Sequence, residues 1–240
     1  MGNDQLFKRR AKTKADYERR EIGRQPNKRI LIVCEGTRTE RGYFDPVIKS
    51  LGITGIDVVI RDDCGSAPIS VVRHAEAIVK SEGSFKSGGY NYVFCVFDRD
   101  SHDTFEAAKS KIESLNRSLS GSIERMCAIT SIPCIEYWFV LHNAYTRSPY
   151  AAVKGKSVGD LCVEELKRNK VFEKYEKKLS SEQIHYLIDN LQKALRNSRA
   201  ALSDSKDTGE ENPSTRVHEM FDFLEEQRLV IEKEKAKSNR

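Results

Sequence analysis

VFCVFDRD, residues 93–100, decides the fold of this chain, because an apolar run ends there in two aspartates, Asp98 and Asp100. A second apolar run, RILIVC at residues 29–34, ends in the same way at Glu35. Such continuous apolar runs are typical of strands buried on both faces of a parallel sheet, and ligands of these sheets bind beyond the C-terminal ends of the strands. The two runs therefore predict that three carboxylates meet at one sheet edge, where they could hold Mg²⁺, which prefers oxygen ligands.

Strands and helices alternate four times before the pattern changes near Ser148. The predicted strands lie at residues 29–34, 56–61, 91–97 and 123–130, and the predicted helices at 40–51, 68–82, 103–119 and 133–145. This alternation predicts an α/β fold with a mostly parallel, Rossmann-like sheet and helices on both of its faces. After Ser148 we predict helices and no strand; these helices lie at 159–169, at 180–202 and from Asn212-Pro213 onward, after a loop that begins at Asp204.

Composition divides the chain into four segments. They are a basic N-terminal arm expected to be partly disordered (1–27), an α/β core (28–147), a helical appendage packed on the core or on a partner (148–230) and a charged tail (231–240).

The overall composition, 38% hydrophobic and 32% charged over 240 residues, is that of a soluble globular protein. No apolar run approaches the roughly 20 residues of a membrane span, and the basic N-terminus lacks the apolar region of a secretory signal. We therefore expect a cytoplasmic protein with no membrane partner. The six cysteines are scattered singly, which argues against a zinc site or a disulfide framework.

Positive charge is concentrated at the N-terminus. Residues 1–30 carry ten Lys and Arg against four acids, so this segment supplies +6 while the whole chain carries +5. A basic arm on a neutral body suggests binding to a polyanion, with Lys8, Arg9 and Arg10 contacting nucleic acid, because neutralising phosphates releases counterions. The alternative is a solvated tail that only aids solubility.

The carboxylates after the two apolar runs have a plain alternative role, since acids at strand ends also cap the following helix. Their joint occurrence after two strands of one sheet favours a metal site. Arg38 and Arg99 adjoin the acids and could clamp a scissile phosphate or simply neutralise the acid cluster. His102, which follows the two aspartates, is interpreted as a plain loop histidine; contact with a phosphate or transfer of a proton is the alternative.

Four segments, in order, resemble the RloB-like family. They are VCEGTRTERGYF (33–44), VFDRD (96–100), SIPCIEYWFVLHN (131–143) and NPSTRVHEM (212–220). An acid followed by glycine after the first strand and a later DxD also resemble the Toprim domain of topoisomerases, DnaG-type primases and OLD-family nucleases. This resemblance implies a Toprim-like fold and a nuclease that depends on Mg²⁺ (or Mn²⁺). It also implies a role in bacterial anti-phage defence beside an AAA-type ATPase.

The resemblance also implies roles for individual residues. Glu35 matches the Toprim glutamate, and Asp98 and Asp100 match the DxD, so these three would be catalytic and would bind the metal. Glu40 and Glu136 are the nearest counterparts of two further acids in OLD-type nucleases and would complete the metal ligands. Glu136 also lies among aromatic and aliphatic residues, where an unpaired carboxylate would be costly; pairing with an arginine or a backbone amide is the alternative.

Two other functions are compatible with the sequence. Haloacid-dehalogenase-type phosphatases also use a DxD after a strand, but usually after the first strand, whereas here it follows the third. A non-catalytic subunit could instead regulate or tether an ATPase through its helical half. The choice between DNA and RNA, including tRNA, and the existence of a homo-oligomer are left open.

Overall fold

The computed structural model of the protein describes residues 27–238, except Thr37, Ser66 and Ser101. The predicted nucleic-acid contacts of Lys8, Arg9 and Arg10 lie outside the described residues. The strands are β1 (Lys28–Cys34), β2 (Ile56–Arg61), β3 (Tyr92–Asp98), β4 (Arg125–Ile132) and β5 (Ser214–Thr215). The α-helices are α1 (Thr39–Ser50), α2 (Pro68–Glu82), α3 (Phe105–Ser118), α4 (Glu136–Asn143), α5 (Val158–Lys167), α6 (Ser181–Asp189), α7 (Leu191–Thr208) and α8 (Val217–Ser238). Short 3-10 helices occupy Phe85–Ser87 and Lys170–Phe172.

The five strands form one sheet in the order β2-β1-β3-β4-β5. β1 pairs in parallel with both β2 and β3, and β3 pairs in parallel with β4, whereas β5 is antiparallel to β4. The chain moves outward from β1 in one direction to β2 and in the other direction to β3. The gap between the C-terminal ends of β1 and β3 is therefore the topological switch point, where open α/β sheets bind their ligands.

Alternate residues of the central strands enter two apolar clusters, one on each face of the sheet. In β1, Ile30 and Ile32 face one cluster, and Leu31 and Val33 face the other. Helices α2 and α3 cover the second cluster, while α1, α4 and the helices after residue 148 cover the first. Burial on both faces explains why these strands read as continuous apolar runs. The predicted α/β fold, with a mostly parallel sheet and helices on both faces, is confirmed.

The C-terminal helices share the larger cluster with the sheet. The Phe221 ring of α8 stacks on Trp138 of α4 at 6.0 Å between centroids and 17° between planes. Phe223 contacts the rings of Tyr92 and Phe94 on β3. Capping boxes begin the intervening helices α5 and α6, at Ser157 and Ser180 respectively. No helix among the described residues has the length and apolar character needed to span a bilayer.

Several predictions for the chain after Ser148 are wrong. The helix predicted at 180–202 is two helices, because the chain breaks at Asn190, whose side-chain amide donates to the Tyr186 carbonyl at 2.9 Å. Helix α7 continues to Thr208, past the predicted start of the loop. The prediction of no strand after Ser148 is wrong, because Asn212-Pro213 precedes the strand β5. The helix predicted from Asn212-Pro213 begins later, at Val217. A two-residue strand is too short to produce a recognisable alternation of apolar and polar residues in the sequence.

A core substitution tests whether the last helix folds as part of the sheet domain. Phe221→Ala should lower the free energy of unfolding by about 3–5 kcal/mol, because it removes a buried ring that stacks on Trp138. Urea denaturation should still show one transition. Leu229→Ala, at a half-exposed position of the same helix, is the matched control and should change stability by less than about 1 kcal/mol. A separate transition for the C-terminal helices would contradict this account.

Candidate active site

Strands β1 and β3 bring Glu35 and Asp98 together at the switch point. Cys34 lies opposite Val96 in the parallel register, and the Glu35 N–H donates to the Val96 carbonyl at 3.1 Å. The Glu35 carboxylate (Oε2) in turn accepts a hydrogen bond from the Asp98 N–H at 3.1 Å. The structure therefore places the acids that follow the two apolar runs at one edge of the sheet.

Asp98 is held at the start of α4. Its Oδ2 accepts a hydrogen bond from the Ile135 N–H at 3.0 Å. Burial raises the pKa of Asp98 well above its usual value, and the nearby carboxylates of Glu40, Glu136 and Glu35 raise it further. Burial also raises the pKa of Glu35, although the Asp98 N–H and His102 oppose this shift. Both carboxyl groups thus lie in a site where negative charge is already in excess.

Glu40 and Glu136, in the first turns of α1 and α4, lie near Glu35 and Asp98. These four residues and Asp100 form the acid cluster. Both are almost fully buried, at 6% and 2% exposure. Burial raises the pKa of Glu40 to about 7, and the charges of Glu136 and Glu35 contribute. Glu136 Oε1 accepts a hydrogen bond from the Tyr175 hydroxyl at 3.0 Å, so its partner is a phenol and not an arginine. A Cβ atom on Gly36 would overlap the Glu40 carboxylate, which explains the glycine after Glu35.

Asp100 lies at the exposed rim of the cluster with unusual backbone geometry. Its φ is 32°, in the left-handed region that a non-glycine residue adopts only at a cost. Its N–H donates to the Pro133 carbonyl at 2.9 Å, which holds the turn against the start of α4. A Cβ atom on Gly159 would lie 3.9 Å from Asp100 Oδ1, so the start of α5 also borders this carboxylate.

Two basic side chains adjoin the acids. His102 Nε2 lies 3.2 Å from Glu35 Oε1, so the loop histidine is a direct neighbour of a candidate catalytic acid. The charge of Glu136 raises the pKa of Lys177, with further contributions from Cys134, Asp98 and Asp100. The Lys177 carbonyl accepts a hydrogen bond from Thr39 Oγ1 at 2.8 Å. Lys177 has φ 58°, and among the described residues only it and Asp100 are non-glycine residues with positive φ.

Lys177 was not among the predicted site residues; it approaches the acids from the irregular segment between the 3-10 helix Lys170–Phe172 and α6. Its only sequence signal is the lysine pair at 177 and 178 within a generally basic stretch, and solvated surfaces contain many such pairs. Tyr175 was also not predicted, because no local sequence pattern marks it. Their roles depend on the packing of that segment against α1, which no local pattern reports.

The two arginines beside the acids differ in their surroundings. Arg99 Nη1 pairs with Glu211 at 2.8 Å, and its guanidinium lies over the Phe105 ring. Arg38 is exposed at the start of α1 and forms no ion pair within the described part of the chain. Arg99 is thus already neutralised by a carboxylate outside the cluster, whereas Arg38 is available to an anionic ligand.

The acid cluster has the chemistry of a site for a hard divalent cation. It consists of oxygen donors only. The raised pKa values of Glu35, Glu40 and Asp98 indicate that the fold holds these carboxyl groups together against repulsion and desolvation. Among the described residues, no three acidic, histidine or cysteine side chains surround one common point as ligands. Glu35 and Asp98 instead bind His102 and backbone N–H groups, contacts that a cation would have to replace.

The sequence model of the family described as RloB-like protein matches residues 30–224. The chain belongs to the RloB-like family. The matched region of this RloB-like chain runs from β1 into α8 and includes all five carboxylates and Lys177. No curated protein and no solved structure matches the chain.

Titration of Glu40 should make the stability of the cation-free protein depend on pH. Its pKa is about 7 in the folded protein against 4.5 for an ordinary glutamate. Between these values the folded state holds a proton that the unfolded state has lost, so the free energy of unfolding should fall as pH rises through this window. The total loss is on the order of 3 kcal/mol.

The measurement is a series of urea denaturations from pH 4.5 to pH 8 in EDTA. Glu40→Gln should flatten the decline, because the amide has no proton to lose. Glu113→Gln, on the exposed face of α3, is the control and should follow the wild type. Parallel curves for wild type and Glu40→Gln would show that Glu40 titrates normally.

Proposed function

We propose that this chain is a nuclease that depends on Mg²⁺ or Mn²⁺ and hydrolyses phosphodiester bonds of nucleic acid. The observation that carries the proposal is the convergence of Glu35, Glu40, Asp98, Asp100 and Glu136 on the switch point between β1 and β3. Structural acids at strand ends are normally paired or solvated, whereas three of these carboxyl groups have raised pKa values that reflect burial and mutual repulsion. A cluster of this kind at a ligand-binding edge is a candidate functional site.

The roles of the acids follow from their positions. Asp98 and Asp100 would hold the cation, with Glu35 as a further ligand or as the general acid/base, and Glu136 and Glu40 would support a second cation. A divalent cation bound there would polarise the phosphate and lower the pKa of a bound water.

The remaining groups manage protons and charge. His102 lies 3.2 Å from Glu35, so it can accept a proton that Glu35 takes from water. The raised pKa of Glu35 makes this carboxylate a better general base near neutral pH. Lys177, in the field of Glu136, Asp98 and Asp100, would stabilise negative charge that develops on the phosphate oxygens. The Tyr175 hydroxyl holds the carboxylate of Glu136 in place.

The biological setting is part of the same proposal. As an RloB-like protein, the chain would act in the cytoplasm as the effector of an anti-phage defence system, together with an AAA-type ATPase, and would be toxic to the cell when active. The basic arm would raise the local concentration of nucleic acid, DNA or RNA.

A second candidate function is a non-catalytic subunit that regulates or tethers the ATPase. It is favoured by one observation, that Glu35 and Asp98 are bound to His102 and to backbone N–H groups and not arranged around one point.

Cation binding can be tested without an activity assay. Mn²⁺ should raise the melting temperature of the wild-type protein at pH 8, which is above the pKa of about 7 of Glu40; a ligand at about 100 times its dissociation constant adds about 2.7 kcal/mol of stability. Asp98→Asn should lose most of this increase. An equal increase in wild type and Asp98→Asn would show that Mn²⁺ binds elsewhere.

Cleavage separates the two candidate functions. Asp100→Asn keeps the side-chain volume and removes the charge that a cation needs, so it should stay folded and lose at least about 100-fold in metal-dependent cleavage of DNA and RNA substrates. Asp103→Asn, an exposed aspartate in the same loop, is the control and should cleave at the wild-type rate. Wild-type cleavage by Asp100→Asn would show that Asp100 is not a catalytic ligand. Absence of metal-dependent cleavage by the wild-type protein, with cellular toxicity unchanged in Asp100→Asn, would favour the tethering subunit.

A further inference from the structure

A concave surface lies between α1 and the start of α6. It is a cavity of about 680 Å³ that opens to solvent. Its lining consists of Arg38, Arg41, Gly42, Asp45, Pro46, Lys178 and Ile184. We name this cavity the α1–α6 groove.

The α1–α6 groove carries positive charge that the protein does not neutralise. Its acid, Asp45, already binds Lys49 at 2.7 Å, and Arg41 pairs with Asp62 at 2.8 Å. Arg38 and Lys178 are both exposed, and neither forms an ion pair within the described residues. The groove therefore presents two free cations from two different elements, which suits an anion longer than a single phosphate.

The same two elements, the first turn of α1 and the segment at residues 177–178, border both the groove and the acid cluster. The first turn of α1 sends Glu40 into the cluster, while Arg38 and Arg41, on either side of it in sequence, line the groove. The facing segment repeats this arrangement, because Lys177 lies in the field of the acids and its neighbour Lys178 lines the groove. The hydrogen bond from Thr39 Oγ1 to the Lys177 carbonyl, at 2.8 Å, joins α1 to this segment. The groove therefore lies across the first turn of α1 from the carboxylates, so a strand that passes over this turn can reach both.

We infer that the α1–α6 groove binds the phosphodiester backbone of the nucleic acid next to the scissile bond. This inference rests on the proposed nuclease function. The Arg38 guanidinium can form two parallel hydrogen bonds to one phosphate, and the Lys178 ammonium can neutralise a neighbouring one. Pro46 and Ile184 add apolar surface to the lining, which suits the sugars. Contacts of this kind position a strand and do not read its sequence.

The experiment compares two variants that lose the same charge. In the groove variant, Arg38→Gln is combined with Lys178→Gln. In the control variant, Lys86→Gln is combined with Arg117→Gln, two exposed cations that precede β3 and β4 and so lie at the opposite end of the sheet. Fluorescence anisotropy measures the affinity of the full-length proteins for labelled DNA and RNA oligonucleotides in EDTA, so that binding is measured without cleavage, at several salt concentrations.

Loss of two phosphate contacts should reduce the slope of log affinity against log salt by about 1.4 for single strands, or about 1.8 for duplex DNA. The control variant should keep the wild-type slope. Equal reductions in both variants, an unchanged slope in the groove variant, or a wild-type protein that binds no oligonucleotide would each overturn the inference.

Cleavage of the same oligonucleotides in Mg²⁺ distinguishes this inference from the proposed function. If the wild-type protein cleaves and the groove variant binds with an unchanged slope, the groove assignment fails and the nuclease remains. If the groove variant alone loses slope and no protein cleaves in Mg²⁺ or Mn²⁺, the groove binds nucleic acid and the nuclease proposal fails.

Discussion

Parallel pairing of β1 with β3 is the constraint on which the rest of the site depends. The register sets Cys34 opposite Val96, so the residues that follow both strands lie at one edge of the sheet. Their carboxylates are therefore held close together. Repulsion and lost hydration would drive these groups apart in a flexible chain. Here the strands are fixed by apolar clusters on both faces, and the raised pKa values of Glu35, Glu40 and Asp98 record the cost.

The helical half of the chain offsets part of the repulsion and lost hydration of these carboxylates. Packing on the larger apolar cluster brings Tyr175 to Glu136 and Lys177 into the field of the acids. The site is thus assembled from both halves of the sequence: the acids come from the strand ends and from α1 and α4, and a hydroxyl and an ammonium come from the segment before α6. A change in how this segment packs would alter the electrostatics of the carboxylates without touching them.

Much of the fold could be predicted because burial on two faces leaves continuous apolar runs, and a parallel sheet implies which strand ends meet. Glu35 and Asp98 follow directly from that argument. The contact of His102 with Glu35 depends on the conformation of a loop, and the position of Lys177 on packing between distant segments, so no local pattern reports either. The break at Asn190 is hidden because apolar residues recur with helical spacing on both sides of it.

The two non-glycine residues with positive φ among those described, Asp100 and Lys177, connect the strain of the backbone with the site. Each is held by a hydrogen bond from a neighbouring element, Asp100 through the Pro133 carbonyl and Lys177 through Thr39 Oγ1. Left-handed backbone at a residue with a side chain persists only where surrounding contacts determine it, and it concentrates at functional sites. One of these side chains is an acid and the other is a base, and both face the same cluster. The two strained residues thus carry opposite charges beside the same group of carboxylates, an arrangement that the proposed binding of a cation and a phosphate would use.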